Sequence, residues 1–278
     1  MLPKPLPRVL AIHDLCVFGR CSLSVISPVL SARGVQCCPL PIAIYSAPAN
    51  YEGNAVFPLT EQLPSILRHL TSINPHFDAI YSGFLSDERQ AAFVEEVFRT
   101  FPDALRVVDP VLGDRGKLYR GITDGMVAAM RRLVQKAHLI TPNVTEAAIL
   151  LGKSPSEVPH DEKDATEWLD KLSKTGPESV LLTGLLCGKP GEMLVGWAKQ
   201  NNAGFLSHPE IKGDFHGTGD LFTAYLLAEF LCGASLDAAA KSAAEFVADC
   251  CAFTAERGAD GRAGVLFEGV LKSYQSDS

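Results

Sequence analysis

The chain has 278 residues, of which 47% are hydrophobic and 21% are charged, a composition typical of a folded globular protein and not of a disordered one. Its 32 acidic and 25 basic residues give a net charge of -7, which disfavours binding to nucleic acid or to an anionic membrane surface. None of the 8 cysteines forms a C-x-x-C pair, so we expect reduced thiols in a reducing compartment.

Short apolar runs alternate with amphipathic segments along the first two thirds of the chain. The predicted strands begin at Arg8, Val35, Asp78, Leu105 and Glu178. The segments that begin at Asp87 and Asp124 have helical periodicity and lie between strands. Continuous apolar strands separated by helices favour a parallel sheet that is covered on both faces. The sequence therefore predicts an α/β fold with a central, mostly parallel sheet.

The last third of the chain has a different pattern. Two apolar segments between Gly191 and His208, joined by a turn around Asn201, predict a small antiparallel pair at the sheet edge. Helical patterns follow over Leu221 to Cys232 and Leu236 to Ala255. We find no linker or repeat and predict one domain over residues 1–278. Neither a signal sequence nor a membrane span is predicted, so we expect a cytosolic protein.

The segment GDFHGTGD, from Gly213 to Asp220, directly precedes an apolar helix. The amides of Gly217, Thr218 and Gly219 are expected at the helix N-terminus, where unpaired N–H groups favour an anion. Asp220 in the first turn could then accept a proton from a hydroxyl group that attacks phosphorus. The alternative is a simple glycine turn with an acidic residue that favours the helix dipole.

Two further polar segments follow predicted strands, where ligands of α/β proteins usually bind. Asp109 follows the strand at Leu105, and the segment from Thr141 to Glu146 opens a short helix. Asn143 and Glu146 have the spacing of a capping box, but carboxylate and amide oxygens at several strand ends also suit magnesium. Both interpretations stay open from the sequence.

Two nucleotide-binding motifs are excluded. Gly188 and Lys189 are followed by Pro190 where a P-loop needs a serine or threonine, and the glycine spacing is one residue short. The first predicted strand is followed by HDLCVFGRC and not by a G-x-G-x-x-G fingerprint, which disfavours a nicotinamide-dependent enzyme.

With DPVLGD from Asp109, ITPNVTEAAIL from Ile140 and GTGDLF from Gly217, in this order, the chain resembles the ribokinase superfamily. Within it the sequence is similar to the pyridoxal kinase group. The resemblance implies a ribokinase-like α/β fold and transfer of the ATP γ-phosphoryl group to a hydroxymethyl group, with Mg²⁺ and an aspartate base. It also implies a homodimer.

The resemblance assigns roles residue by residue. The catalytic set comprises Asp220 as the base with Gly217, Thr218 and Gly219 as the anion hole. The magnesium set comprises Asp109, Asn143 and Glu146. The nucleotide set comprises Asp114, Tyr119, Thr141, Asn143, Glu146, Thr183 and His216. The substrate set comprises Asp14, Ser46, Tyr51 and Phe84.

The substrate side departs from the pyridoxal kinase pattern. Asp14 stands where the group usually has a serine, and SAPANY, from Ser46 to Tyr51, replaces a segment like SNHTGY. An ionised carboxylate accepts but does not donate hydrogen bonds, so Asp14 is expected to favour a ligand with a hydroxyl or ammonium group, unless it only caps a turn. The alternatives in function are a hydroxymethylpyrimidine or other small-alcohol kinase and a non-catalytic pyridoxal- or nucleotide-binding protein.

Overall fold

The computed structural model describes residues 6–200 and 202–275. The signal-sequence prediction and the turn at Asn201 fall partly outside these residues. The strands are β1 (Arg8–Cys16), β2 (Gln36–Tyr45), β3 (Val56–Pro58), β4 (Ala79–Ser82), β5 (Leu105–Val108), β6 (Gly113–Asp114), β7 (Lys117–Leu118), β8 (Leu139–Ile140), β9 (Ser179–Leu185), β10 (Glu192–Lys199) and β11 (Asn202–Pro209). The helices are α1 (Leu23–Ala32), α2 (Leu63–Ile73), α3 (Glu88–Thr100), α4 (Asp124–Val134), α5 (Val144–Leu150), α6 (Glu162–Ser173), α7 (Thr218–Leu231), α8 (Leu236–Glu256) and α9 (Glu268–Gln275), with a 3-10 turn at Gly261–Ala263.

Within the described residues, nine strands form one sheet in the order β11-β10-β9-β8-β5-β4-β1-β2-β3, and β6 and β7 form a separate two-stranded sheet. The strands from β9 to β2 in this order are parallel to one another, so their carboxyl ends meet at one edge of the sheet. Strands β10 and β11 form the predicted antiparallel pair at one side, and β3 adds an antiparallel strand at the other. The predicted α/β class, mostly parallel with an antiparallel edge, is confirmed.

Two apolar layers cover the two faces of this sheet. One layer contains buried side chains of α2 to α6, and the other contains those of α1, α7, α8 and α9. Helix α7 is apolar on nearly all sides, because it lies between the sheet and other helices. No helix within residues 6–200 and 202–275 has the length and apolar character needed to cross a membrane.

Capping side chains set the starts of several helices. Asp87, Thr123 and Asp161 accept hydrogen bonds from first-turn amides of α3, α4 and α6. Helix α5 begins with the predicted capping box, in which Asn143 accepts from the Glu146 amide and Glu146 accepts from the Asn143 amide. The caps of α3, α4 and α5 therefore fix where the connections from β4, β5 and β8 end.

Two element bounds near the carboxyl edge differ from the sequence prediction. His13 and Asp14 were expected after the first strand, but β1 continues through them to Cys16. The pairing of β1 with β2 shifts register between His13 and Leu15, which lets the strand continue past an irregularity. Helix α7 begins at Thr218, three residues before the predicted start at Leu221, because Gly217 is its N-cap residue.

Candidate active site

The candidate site lies where the carboxyl ends of β1, β4, β5 and β8 approach the N-terminus of α7. Asp220 of α7 accepts a hydrogen bond from the Ser22 amide, and a Cβ atom added at Gly219 would lie 3.7 Å from Asp109 Oδ2. On the other side of Asp109, the segment that ends at Gly113 is hydrogen bonded to Asn143. The structure therefore brings the three sequence motifs together at one edge of the sheet.

The start of α7 has the geometry of an anion-binding site. Gly217 is the N-cap residue with φ 78°, and it forms no side-chain capping bond. A Cβ atom there would lie 2.3 Å from the Arg20 carbonyl oxygen, so only glycine fits without displacement of the backbone. The amides of Thr218, Gly219 and Asp220 have no acceptor inside the helix. They are the donors expected for phosphate oxygens.

Asp220 has two different environments at its two oxygens. Oδ2 accepts the Ser22 N–H at 2.7 Å, whereas Oδ1 lies 3.9 Å from His13 Nδ1. Burial raises the pKa of Asp220 to about 7, an effect that the Ser22 amide opposes and the nearby Asp14 carboxylate increases. A carboxylate with this pKa can accept a proton near neutral pH and release it again.

His13 is a polar residue of the site that the sequence prediction did not assign. Its side chain is fully buried, and neither ring nitrogen has a hydrogen-bond partner among the described residues. The ring packs edge-on against Tyr81 at 4.3 Å, and a Cβ atom at Gly83 would lie 2.2 Å from it. Burial lowers the pKa of His13 to about 3, so the ring is neutral beside Asp220. The polar pair His13 and Asp14, which interrupts the apolar run of β1, was its signal in the sequence.

Asp109 and Glu146 form a second buried acidic pair. Burial raises the pKa of both carboxyl groups well above the usual range. The Asp220 carboxylate raises the pKa of Asp109 further, and the Asp109 carboxylate does the same to Glu146. No cationic side chain among the described residues lowers either pKa. Glu146 Oε1 accepts the Leu112 amide at 3.2 Å and Oε2 accepts the Asn143 amide at 2.9 Å. Clustered carboxylates without a cationic partner are a donor set that suits magnesium.

The predicted metal ligands differ in how many hydrogen bonds already occupy their side-chain atoms. The Asn143 side chain is engaged at both ends, because Oδ1 accepts from the Glu146 amide and Nδ2 donates to the Gly113 carbonyl oxygen at 3.0 Å. Glu146 already accepts two backbone N–H groups. The Asp109 carboxylate, by contrast, has no hydrogen bond among the described residues. Asp109 is thus the best placed of the three to bind a cation directly.

The residues predicted for the nucleotide fall into an exposed and a buried group. Asp114 and Tyr119 are exposed at the β6–β7 hairpin. Burial of the Tyr119 hydroxyl, together with nearby carboxylates such as Glu146, raises the pKa of Tyr119. Thr141 is buried, and its hydroxyl accepts a hydrogen bond from Thr223 at 2.9 Å. The hydroxyl oxygen of Thr141 is therefore already hydrogen bonded to another side chain of the protein.

Thr183 and His216 contact different segments of the site. Thr183 pairs with Asn143 in a parallel bridge next to the start of α5. His216 Nε2 lies 3.1 Å from Asn50 Nδ2 and 3.6 Å from Asp214 Oδ1. This contact places His216 against the segment from Ser46 to Tyr51, on the side predicted for the substrate.

Asp14 and Phe84 lie around the side chain of Tyr45. The Phe84 ring is 6.2 Å from that of Tyr45, and burial together with the Asp14 carboxylate raises the pKa of Tyr45 to about 12. Asp14 Oδ1 accepts a hydrogen bond from Ser22 Oγ at 2.6 Å, and burial raises its pKa. Ser22 thus connects Asp14 with Asp220, through its hydroxyl to the first and its amide to the second.

Ser46 and Tyr51 lie farther out, in the loop between β2 and β3. The Ser46 hydroxyl accepts the Ala55 amide at 2.8 Å and so stabilises that loop. The Tyr51 ring packs edge-on against Phe18 at 5.6 Å, with the Arg262 guanidinium 5.7 Å from its centre. Their contacts are those of residues that shape the loops at the outer side of the site.

Comparisons with known proteins give a consistent result. Residues 31–263 match the family described as phosphomethylpyrimidine kinase. The pyridoxine/pyridoxal/pyridoxamine kinase of Bordetella avium is 29% identical over 260 residues, which cover 88% of this chain and 85% of that protein. A Bacteroides thetaiotaomicron crystal structure with pyridoxal, of a protein assigned as a phosphomethylpyrimidine kinase, is 36% identical, with a TM-score of 0.91 over 96% of this chain and 95% of that one. The pyridoxal kinase structure from Lactobacillus plantarum is 29% identical, with a TM-score of 0.89 over 98% of this chain and 97% of that one.

Proposed function

As the chain belongs to the phosphomethylpyrimidine kinase family and to its ribokinase-like pyridoxal kinase group, we propose that it transfers the γ-phosphoryl group of ATP to the 5′-hydroxymethyl group of a vitamin B6 vitamer. That it is a kinase of an alcohol group follows from the family. We propose in addition that the phosphoryl acceptor is a B6 vitamer, that the donor is ATP, and that the residues named below carry out the transfer.

The observation that carries the proposal is the position of Asp220 in the first turn of α7. The carboxylate stands beside the amides of Thr218 and Gly219, so a base and an anion site share one helix end. We assign Asp220 Oδ1 as the atom that accepts the proton of the substrate hydroxyl, because the Ser22 amide occupies Oδ2. The helix amides hold the transferred phosphoryl group and stabilise its charge.

The donor set at Asp109 and Glu146 fits a magnesium ion. When bound, Mg²⁺ neutralises charge on the phosphate oxygens. Asp109 would hold it most directly, with Glu146 close by, while Asn143 fixes the loop after β5 through Gly113. The β6–β7 hairpin with Asp114 and Tyr119 would lie over the nucleotide, and Thr145 anchors this hairpin through the Gly116 amide at 2.9 Å.

Asp14 and Phe84 are the residues that we propose contact the substrate ring and its substituents. The pyridoxal present in the Bacteroides thetaiotaomicron structure supports a B6 vitamer as the substrate, since that protein is 36% identical to this chain. The partly buried hydroxyl of Tyr45 lies beside Asp14, and we add it to this set.

The experiment is product detection with Mg-ATP and a panel of pyridoxal, pyridoxine, pyridoxamine and hydroxymethylpyrimidine. A phosphorylated B6 vitamer as the best product by kcat/KM supports the proposal. Hydroxymethylpyrimidine as the best substrate favours the second candidate, which the description of the matched family supports. Nucleotide or pyridoxal binding without turnover of any alcohol would indicate a non-catalytic binding protein.

We further propose that the enzyme acts in the cytosol as a homodimer. The resemblance to pyridoxal kinases supports the dimer, and the unpaired cysteines support a reducing compartment. Light scattering on the purified chain tests the dimer, and a mass of 29.9 kDa in solution would contradict it.

A further inference from the structure

Two cysteines meet at the end of β1 with the carboxylate of Asp14, which is also proposed above to contact the substrate. The Sγ atoms of Cys16 and Cys21 and a carboxylate oxygen of Asp14 all lie within 4.8 Å of one another. Cys16 Sγ is 3.5 Å from Asp14 Oδ2. We propose that Asp14, Cys16 and Cys21 form a binding site for a thiophilic divalent cation of the Zn²⁺ class, distinct from the magnesium site.

The backbone holds the two thiols together although four residues separate them. Leu15 and Ser22 form an antiparallel bridge that closes the base of the loop between the cysteines. The loop itself is anchored outside, since the Val17 amide donates to the Tyr45 carbonyl oxygen at 2.9 Å and the Arg20 amide to that of Ala263 at 2.7 Å. The ligand atoms are therefore held near one another before any cation binds, which reduces the ordering cost of binding.

The distances suit a tetrahedral zinc ion. Zinc–sulfur bonds of about 2.3 Å and zinc–oxygen bonds of about 2.0–2.2 Å place the ligand atoms roughly 3.5–3.8 Å apart. The Cys16 to Asp14 distance of 3.5 Å already meets this requirement. Small side-chain rotations are enough to bring Cys21 into range.

The two oxygens of Asp14 have separate tasks in such a site. Oδ2 accepts the hydrogen bond of the Cys16 thiol and becomes available to the cation when the thiols release their protons to solvent on metal binding. Oδ1 accepts the Ser22 hydroxyl at 2.6 Å. A hydrogen bond to the second oxygen of a ligating carboxylate orients it and increases metal affinity. Ser22 is thus a positioning residue for this site.

Sulfur ligands determine which cations bind. Thiolates select zinc and similar soft ions and are poor ligands for magnesium, which prefers oxygen. Three protein ligands leave the fourth tetrahedral position open. Cys21 is partly exposed while Asp14 and Cys16 are buried, so the ion enters from the side of Cys21.

The test uses Co²⁺ as a spectroscopic probe for the zinc site and needs no kinase activity, so its outcome is separate from that of the proposed function. The reduced full-length chain is titrated with Co²⁺ without oxygen or nucleotide. We expect one equivalent to bind with tetrahedral d–d bands and sulfur-to-cobalt charge transfer, and Zn²⁺ to displace it. Absence of charge transfer in the folded, reduced wild type would overturn the proposal.

Variants locate the ligands. Cys16→Ser and Cys21→Ser should each weaken Co²⁺ binding by more than about 100-fold, and Ser22→Ala by about 10- to 100-fold, since it removes only the orienting hydroxyl. Cys232→Ser is the matched control, because Cys232 is exposed and belongs to another part of the chain. If a cysteine variant fails to fold by circular dichroism, Asp14→Asn replaces it. Unchanged charge transfer in the folded Cys16→Ser and Cys21→Ser variants would also overturn the proposal.

Discussion

The pKa of Asp220 provides the most direct test of its assignment as the base. Burial raises this pKa from 3.8 to about 7, and the carboxylate is active only when ionised. About one tenth of the free enzyme is then ionised at pH 6 and about nine tenths at pH 8, so kcat/KM should fall roughly tenfold as the pH decreases over this range. The midpoint of the acidic limb should lie near pH 7, far above that of an exposed aspartate.

The variant Asp220→Asn keeps the shape of the side chain but removes the base. Loss of a general base typically lowers the rate by about 10²–10⁴-fold, and the acidic limb should disappear from the remaining activity. ATP affinity should stay within a few-fold of wild type. Asp214→Asn is the matched control, because Asp214 lies in the same segment but is exposed and pairs with Arg115 at 2.8 Å.

A second variant tests the electrostatic cause of the shift. The Asp14 carboxylate raises the pKa of Asp220, so Asp14→Asn should move the acidic limb to lower pH. The assay is a pH series of kcat/KM, which reports the pKa values of the free enzyme, for wild type and the three variants. An acidic limb near pH 7 that persists in Asp220→Asn would refute the assignment of Asp220 as the titrating base.

Three other substitutions give contrasting readouts. Gly217→Ala should reduce kcat by about 10²–10³-fold, because its Cβ would lie 2.3 Å from the Arg20 carbonyl oxygen and displace the amides of the anion hole. Gly233→Ala is the control and should leave kcat unchanged, because Gly233 also has a positive φ but no atom within 4 Å of an added Cβ. Glu146→Gln should lower the free energy of unfolding by about 1–3 kcal/mol, because the side-chain amide cannot accept both the Leu112 and the Asn143 N–H groups. The same variant should need a higher Mg²⁺ concentration for half activity. An unchanged Mg²⁺ dependence would assign Glu146 to the helix cap alone. Asp14→Ser should reduce the preference for pyridoxamine over pyridoxal by about tenfold in kcat/KM, and an unchanged ratio would remove Asp14 from substrate selection.

The sequence predicted those parts of the site that depend on local chemistry. Glycines before an apolar helix indicate a helix start, and this signal placed Asp220 in the first turn of α7. The spacing of Asn143 and Glu146 likewise predicted the capping box. Continuous apolar strands predicted the parallel sheet, because burial on both faces leaves no alternation.

The remaining parts depend on contacts between distant segments. Nothing near Ser22 in the chain indicates that its amide binds a carboxylate at position 220, since this contact requires α1 and α7 to pack together. The burial of His13 against Gly83 and the bond between Thr141 and Thr223 arise in the same way. The proximity of Cys16 and Cys21 follows from a β-bridge that closes an irregular loop, and cysteine spacing alone did not predict it.

The hydrogen bond between Ser22 and Asp220 also affects how the chain acquires its structure during synthesis. The two residues are 198 positions apart, and at about 5–20 residues per second a ribosome needs roughly 10–40 s to pass from one to the other. Throughout that interval the apolar face formed by β1 and α1 lacks α7 and α8, which cover it in the folded protein. Newly made chains should therefore be most prone to aggregate shortly before α7 emerges, and truncation ahead of α7 should yield an insoluble product that retains much of the sheet-forming sequence.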